Sequence, residues 1–378
     1  MNALVDDGFS CPKRMEFGPC GGVEFDGSCE VSAHRCVFVD AETVRWGGSV
    51  RAAAVENGTI ARGAETRRAV AIARPGGVGT AHSAAEANAV ASDFAALLQA
   101  RQIVVGDFPA RALDVRSTEE CASIMAGSVD AALSGDSGAH RVQFSPTYRA
   151  QLIQGAGLAA LIGLNCRDRN RVAIEGELAG LAAVGVAGVH CVTGDHTLTG
   201  SRPDAVPVFD LDSTRVAALA ADAGLLVSVG EAPATPPTAR RAARLVEKQK
   251  AGATVAFVNH SGGAVPVARF IAEVRRLEHE EGLAELGFIA CVPMVVDRGS
   301  AELLATFTTL VLPEGYLERI LGARDVYAEG VAAAIELSEE LLALGGVVGV
   351  NLSGGPAEGR EAFFAEALAR VASGIGRR

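Results

Sequence analysis

Short apolar runs alternate with longer amphipathic stretches from Gln102 onward, and this alternation constrains the fold more than any other feature. Each run has the length of a buried strand, and most are followed by apolar residues at helical spacing. The runs are Gln102–Gly106, Ala131–Gly135, Leu158–Leu164, Gly188–Thr193, Leu225–Gly230, Thr254–Val258, Gly287–Met294 and Gly346–Leu352. Eight runs in about 275 residues match an α/β fold of the (β/α)8 TIM-barrel type. An open doubly wound sheet is the alternative, but that fold more often carries a glycine fingerprint after its first strand.

Polar residues collect directly after these runs. In a TIM barrel the carboxyl ends of the strands form one face, and active sites lie there. Loops are polar in most proteins, so this pattern predicts the place of an active site without naming its chemistry. The polar residues at these positions include Asp107, Asp136, Asn165, Arg167, Thr193, Asp195, His196, Glu231, Asn259, His260 and Asn351.

Four cysteines lie among Gly and Pro turns in the first forty residues. A segment this short buries little apolar surface, so it needs a disulfide or a metal to hold it together. The amino terminus has neither a basic start nor an apolar core, so we expect a cytoplasmic chain with reduced thiols. We therefore predict a metal-binding module over residues 1–45, with Cys11, Cys20, Cys29 and Cys36 as ligands. The spacing lacks the CxxC knuckle of common zinc sites, and both Zn and a [4Fe-4S] cluster stay open.

The segment between the module and the barrel is rich in Ala, Gly and Arg. We predict a linker and a docking helix over residues 46–101, with the helix running from His82 to Ala100 and Ser83 as its N-cap. The barrel domain then covers residues 102–378. A net charge of −11 argues against nucleic acid or an anionic membrane as a main partner, and no apolar run is long enough to span a bilayer.

Three motifs of the barrel resemble the methylenetetrahydrofolate reductase family in its short bacterial and archaeal form. Leu164–Arg171 resembles the family's strand-three motif, and Thr193–His196 followed by Val208–Ser213 resembles its strand-four motif. Glu247–Ala253, leading to Asn259, resembles the motif from helix five to strand six. The cysteine-rich segment resembles the module known as the reductase C-terminal domain, which in some anaerobes belongs to a separate iron–sulfur subunit.

The resemblance implies a catalytic role for two carboxylates. Methylenetetrahydrofolate must open its five-membered ring to an N5 iminium cation before it accepts hydride, which requires an acid and a nearby negative charge. Asp107 matches the family's acid, which is normally a glutamate, and Asp195 matches the aspartate that stabilises the cation. Asn259 matches a pterin-binding glutamine. We assign Asp195, Asn259, His196 and Asn351 to substrate binding.

The resemblance is weaker along the electron route. Gly163 stands where relatives that hold FAD strongly have a histidine, Thr193 replaces an arginine, and Arg241 replaces an aspartate that contacts the flavin ribose. Lys248 matches a flavin-contacting lysine. FAD, FMN and flavin-free hydride transfer from NAD(P)H all stay open. We assign Lys248, Asn165, Thr193 and Glu231 to cofactor binding.

Together these features predict an oxidoreductase that acts on CH–NH groups. It would interconvert 5,10-methylenetetrahydrofolate and 5-methyltetrahydrofolate by hydride transfer. The alternatives are oxidation of methyltetrahydrofolate in a demethylation pathway and a folate-binding subunit with weakened catalysis. The expected partners are a tetrahydrofolate derivative, an electron-donor protein and further copies of the chain in a homo-oligomer.

Overall fold

A computed structural model describes residues 11–48, 93–136 and 140–376 of the chain. Most of the predicted linker, and the helix start at Ser83, lie outside the described residues. The last part of the predicted docking helix lies within them, and residues 93–100 are helical (α1). In the described ranges no helix is both long and apolar enough to cross a membrane.

Eight parallel strands close into a barrel, as the sequence predicts. They follow one another around the barrel in chain order, and the last strand pairs with both the first and the one before it. The strands are β3 (Ile103–Asp107), β4 (Ala131–Ser134), β5 (Ala160–Asn165), β6 (Gly188–Val192), β7 (Val227–Glu231), β8 (Val255–Val258), β9 (Gly287–Pro293) and β10 (Val347–Ser353). The TIM-barrel prediction is confirmed, and every predicted apolar run overlaps one strand.

Helices surround the barrel. They are α2 (Val115–Met125), α3 (Pro146–Gly155), α4 (Arg171–Val184), α5 (Ser213–Asp222), α6 (Arg241–Lys250), α7 (Ala264–Glu281), α8 (Arg298–Leu304), α9 (Tyr316–Gly322), α10 (Val326–Leu342) and α11 (Glu361–Gly374). Short polar side chains begin several of them. Asn170 accepts a hydrogen bond from Ala173 N at the start of α4, and Asp212 accepts from Thr214 N and Arg215 N at the start of α5.

The strands bury both faces, because successive side chains point to opposite sides of the barrel wall. Val104 packs outward against the helices, whereas Ile103 and Val105 fill the barrel interior together with Leu161, Phe257 and other apolar side chains. Phe94 of α1 joins the interior cluster and is 4% exposed. The first described helix therefore covers one end of the barrel and leaves the other for chemistry.

The cysteine-rich segment forms a small module around a two-stranded antiparallel sheet. Its strands are β1 (Ser28–Cys29) and β2 (Ser32–Arg35). Phe17, which is buried, packs edge-on against Trp46 with a ring-centroid distance of 5.3 Å. Arg241 Nη1 of α6 donates to Cys20 O over 3.1 Å, and Arg240 Nη1 donates to Val39 O over 2.9 Å. The module is thus docked on the carboxyl-end face of the barrel.

Candidate functional site

A cavity of about 440 Å³ lies at the carboxyl ends of the strands, beneath the module. Residues from the ends of β3 to β8 and from α6 line its barrel side. The module contributes Lys13, Met15, Pro19, Cys20, Gly21 and Gly22 to its other side. Because both parts of the chain form its wall, the cavity is complete only with the module in place.

The structure brings most of the predicted site residues to this cavity. The predicted residues that line it are Asp107, Asn165, Thr193, Asp195, Glu231, Lys248, Asn259 and Cys20. Two others lie beside it. Asn351 supports Asp107 from β10, and His196 stacks on Phe209 while its backbone N–H donates to Glu30 Oε1 of the module over 2.9 Å. His196 therefore contacts the module rather than the cavity.

Asp107 ends β3 and accepts hydrogen bonds from the end of β10 and the loop after it. Asn351 Nδ2 donates to Asp107 Oδ1 over 2.8 Å, and Gly354 N donates to Oδ2 over 3.1 Å. Burial raises the pKa of Asp107 above its ordinary value, although these hydrogen bonds act in the opposite direction. A carboxyl group with a raised pKa in a cavity is suited to proton donation.

Asp195 lies at the rim of the cavity, with its side chain 61% exposed and Arg141 Nη1 3.4 Å from Oδ2. Lys13 of the module, which the sequence analysis did not single out, lies close enough to be affected by its charge. The side chains of Lys13 and Glu30 are only 4% and 5% exposed, and Nζ lies 2.6 Å from Oε1. Burial alone would lower the pKa of Lys13, but the negative charges of Cys20, Glu30 and Asp195 raise it. The sequence signal that could have pointed to Lys13 is its position close to the clustered Cys11.

A row of polar groups crosses the barrel mouth from β3 to β8. Asn351 Nδ2 lies 3.9 Å from Cys291 Sγ, which in turn lies 3.9 Å from Asn259 Oδ1. Burial raises the pKa of Cys291 to about 12, and the charge of Asp107 adds to the rise. The thiol is therefore neutral, and it links the amides of Asn351 and Asn259 without acting as a nucleophile.

Another predicted residue, Asn165, belongs to a buried charge cluster whose other members the sequence analysis did not assign to the site. Its side-chain amide donates to Asp136, and Arg149 Nη1 and Arg167 Nη2 lie 3.1 and 3.5 Å from the same carboxylate. Asp136 and Arg167 also line the cavity. Asn165 therefore holds the carboxylate of Asp136, which is part of the charged wall of the cavity.

Glu231 of β7 and Lys248 of α6 form a buried ion pair on the barrel side of the cavity. Lys248 Nζ lies 2.8 Å from Glu231 Oε2 and also donates to Gly230 O over 2.6 Å. Arg241 Nη1 binds the other carboxylate oxygen over 3.1 Å. Burial alone would raise the pKa of Glu231, but Lys248 and Arg241 lower it to about 2. The two predicted cofactor residues are thus bonded to each other.

These contacts bear on whether the residues present fit a flavin. Lys248, the residue that matches the family's flavin contact, directs its ammonium group to Glu231 and Gly230. At Gly163 a Cβ atom would lie 2.9 Å from the Cα of Gly135, so the backbone leaves no room for the histidine of strong FAD binders. The residues present do not fit the family's tight flavin site.

The four clustered cysteines are free and half-buried. Burial raises the pKa of Cys11 to about 11, and the charges of Cys20 and Cys36 add to the rise. Four thiolates suit zinc or an iron–sulfur cluster chemically. Within the described ranges, however, no three His, Cys, Asp or Glu side chains are gathered as metal ligands. Metal binding by the module stays a prediction.

Fold and cavity define a (β/α)8-barrel protein whose mouth is covered by a cysteine-rich module. The sequence model of a family described as "Methylene-tetrahydrofolate reductase C terminal" matches residues 7–49, which confirms the resemblance of the module. No curated protein matches the chain in sequence.

The chain is similar to several solved structures, and the first of them shows the fold of the barrel. A protein from Clostridium thermocellum, described as binding two copies of 5-methyl-5,6,7,8-tetrahydrofolic acid, is 13% identical, with a TM-score of 0.55 over 73% of this chain and 98% of its own. A 2,3-dimethylmalate lyase is 14% identical, with a TM-score of 0.39 over 60% of this chain and 80% of its own. Tryptophan synthase from M. tuberculosis is 14% identical, with a TM-score of 0.38 over 66% of this chain and 98% of its own.

Proposed function

We propose that the cavity binds a tetrahydrofolate derivative and that the chain interconverts 5,10-methylenetetrahydrofolate and 5-methyltetrahydrofolate. Two comparisons support a folate ligand: the family match of residues 7–49, and the methyltetrahydrofolate bound by the structural relative from Clostridium thermocellum. The observation that carries the proposal is Asp107. It is a carboxyl group with a raised pKa that lines the same cavity as Asp195 and Asn259.

In the reductive direction Asp107 would donate its proton to N10 of the folate as the C–N10 bond breaks. The positive charge then lies on the N5 iminium, where the carboxylate of Asp195 would stabilise it. Hydride from NAD(P)H adds to the exocyclic methylene carbon and gives the N5 methyl group. Asn259 would bind the pterin ring, because its amide offers both a donor and an acceptor. The reverse sequence, with NAD(P)⁺ as acceptor, is methyltetrahydrofolate oxidation.

The experiment compares Asp107→Asn and Asp107→Glu with the wild type. Folate affinity is measured by calorimetry. Turnover is measured in the reductive direction with NADH or NADPH, and in the oxidative direction with NAD⁺, NADP⁺ or an artificial redox dye. Asp107→Asn should bind folate but lose about 100-fold or more in turnover, because an amide cannot supply the proton. Asp107→Glu should keep activity. Asp204→Asn, a change at an exposed turn carboxylate, is the matched control.

Full activity of Asp107→Asn would end the catalytic assignment. A second candidate is a folate-binding subunit with weakened catalysis, favoured by Gly163 and by the ion pair that engages Lys248. A wild type that binds folate but is inactive with every donor, and that gains activity through Asp107→Glu, would favour this candidate.

A further inference from the structure

Arg244 of α6 is the least satisfied buried cation of the cavity wall. Its side chain is 1% exposed, yet among the described residues Nε and Nη2 have no hydrogen-bond partner. Only Nη1 is engaged, by Thr214 Oγ1. The nearest carboxylate oxygen, Asp212 Oδ2, lies 3.7 Å from Nη2, too far for a hydrogen bond, and is itself without a hydrogen-bond partner.

The surroundings hold this guanidinium in place. A Cβ at Gly18 of the module would lie 3.0 Å from Arg244 Cδ, so the module backbone closes over the aliphatic part of the side chain. Thr214, in the first turn of α5, holds one end of the fork. Arg244 lines the cavity, so its side chain lies beside any ligand bound there.

Positive charge is in excess at this end of the cavity. Arg241, Arg244 and Lys248 lie three and four residues apart on α6 and so share one helix face. Glu231 and Asp212 are the carboxylates paired with them. Burial lowers the pKa of Lys248, and the charges of Arg244 and Arg241 lower it further, while Glu231 acts in the opposite direction. Buried charges of like sign are costly unless an opposite charge joins them.

We propose that Arg244, with Arg241 and Lys248 beside it, binds the anionic end of the cavity's ligand, a phosphate or a carboxylate group. A guanidinium fork matches both groups through paired N–H···O bonds. Two ligands of the proposed reaction carry such a group, the nicotinamide dinucleotide through its phosphates and the folate through its glutamate carboxylates. The inference deepens the proposed function, but the anion site itself does not depend on the reaction.

The test uses the whole chain and its single tryptophan. Trp46 contacts Phe17, and its backbone N–H donates to Glu247 of α6, so its emission reports on this region. The wild type is titrated with inorganic pyrophosphate and with glutarate, against sodium chloride at equal ionic strength, and the melting temperature is followed in parallel. At least one of the two anions should shift the emission and raise the melting temperature beyond chloride. No difference from chloride would overturn the proposal, whatever the variants do.

Arg244→Gln should weaken binding of the active anion about 10- to 100-fold, the usual loss for a charge-assisted hydrogen bond. Arg244→Lys should fall between this variant and the wild type, because it keeps the charge but loses the fork. Arg240→Gln, which removes an arginine that contacts the module outside the cavity, is the control and should bind like the wild type. Equal anion affinity in folded Arg244→Gln and wild type would refute the site.

Two further titrations of Arg244→Gln identify the source of the anion. Weaker binding of ADP, with folate affinity unchanged, assigns the site to a nucleotide phosphate. Weaker binding of 5-methyltetrahydrofolate, with its analogue lacking glutamate unaffected, assigns it to the folate carboxylates. An inactive wild type whose anion binding depends on Arg244 would count against the proposed reaction and leave this site standing. An active wild type whose anion affinity is unchanged in Arg244→Gln would support the proposed reaction and refute this site.

Discussion

His190 of β6 is a titratable residue inside the barrel. Its Nδ1 lies 3.0 Å from Ser228 Oγ, and its ring packs edge-on against Phe257 with a centroid distance of 4.7 Å. Burial, with a smaller effect from the charge of Lys248, lowers its pKa to about 4. His190 lines the cavity as a neutral ring at neutral pH. The neutral ring can therefore donate or accept a hydrogen bond, but it cannot stabilise a negative charge as an imidazolium would.

This pKa predicts how stability depends on pH. Below the ordinary value of 6.5 the unfolded chain binds a proton at His190 and the folded chain does not, so stability falls as the pH drops from 6.5 to about 4. The loss is at most about 1.4 kcal/mol per pH unit for one group. His260, whose pKa burial also lowers to about 4, contributes in the same direction.

The measurement is urea unfolding at a series of pH values between 7 and 4. His190→Gln should show a shallower dependence than the wild type, because one of the linked protons is gone. His279→Gln changes an exposed residue of α7 and should keep the wild-type dependence. Equal slopes for His190→Gln and the wild type would show that His190 takes up its proton in the folded state as readily as in the unfolded state.

At the scale of elements, β4 and β5 approach each other closely beyond their paired residues. A Cβ at Gly163 would lie 2.9 Å from Gly135 Cα. This contact is too short, and the backbone of Gly135 cannot easily move to relieve it. Gly163→Ala should therefore lower the free energy of unfolding by about 1–3 kcal/mol. Gly176→Ala is the matched control, because that glycine lies within α4 with nothing within 4 Å of an added Cβ. It should raise stability by about 0.5–1 kcal/mol.

Chemical denaturation of both variants checks the pair. A stable Gly163→Ala would mean that the strands can separate at this point. It would also reopen the position to the histidine that strong FAD binders carry there.

The barrel was predictable because each strand carries its own signal. Val104 and Leu161 belong to apolar runs that are buried on both faces. Such a run predicts a strand from its own residues, without knowledge of the rest of the chain. The ends of the strands were predicted less well: the apolar run Leu158–Leu164 corresponds to a strand over Ala160–Asn165. The position of candidate site residues that end a strand, such as Asp107 and Glu231, was predictable for the same reason.

The module side of the site was not predictable from local pattern. Lys13 and Cys20 reach the cavity through a tertiary contact, and Arg241 meets Cys20 O across 221 residues of sequence. Arg244 has the sequence signature of an ordinary helix arginine, and its packing against Gly18 of the module is a tertiary contact. The hydrophobic pattern of neither segment predicts that the module contacts α6.

At the scale of the whole molecule, Glu30 is a central contact between module and barrel. It accepts from Lys13 of the module, 2.6 Å away, and from His196 N of the barrel, 2.9 Å away. Glu30→Ala would leave the buried ammonium of Lys13 without its partner, at a cost of about 3–5 kcal/mol. We expect the module to leave the mouth while the barrel stays folded.

Two spectra check this expectation. Trp46 emission should move to longer wavelength as its contacts with Phe17 and α6 are lost, and far-UV circular dichroism should stay near that of the wild type. Glu42→Ala is the control, because Glu42 is 96% exposed at a distant ion pair with Arg240. Unchanged Trp46 emission in Glu30→Ala would show that the apolar contacts alone hold the module.

The docking contacts of the described residues join segments that are remote in sequence. Glu30 meets His196 across 166 residues, and Trp46 meets Glu247 across 201. Chain order is therefore free to vary: the same module would find the same neighbours if it were encoded after the barrel or by a separate gene. A family model described as C-terminal that matches residues 7–49 is consistent with this freedom. Fusion into one polypeptide makes the encounter intramolecular, so weak contacts suffice where two free subunits would need strong ones.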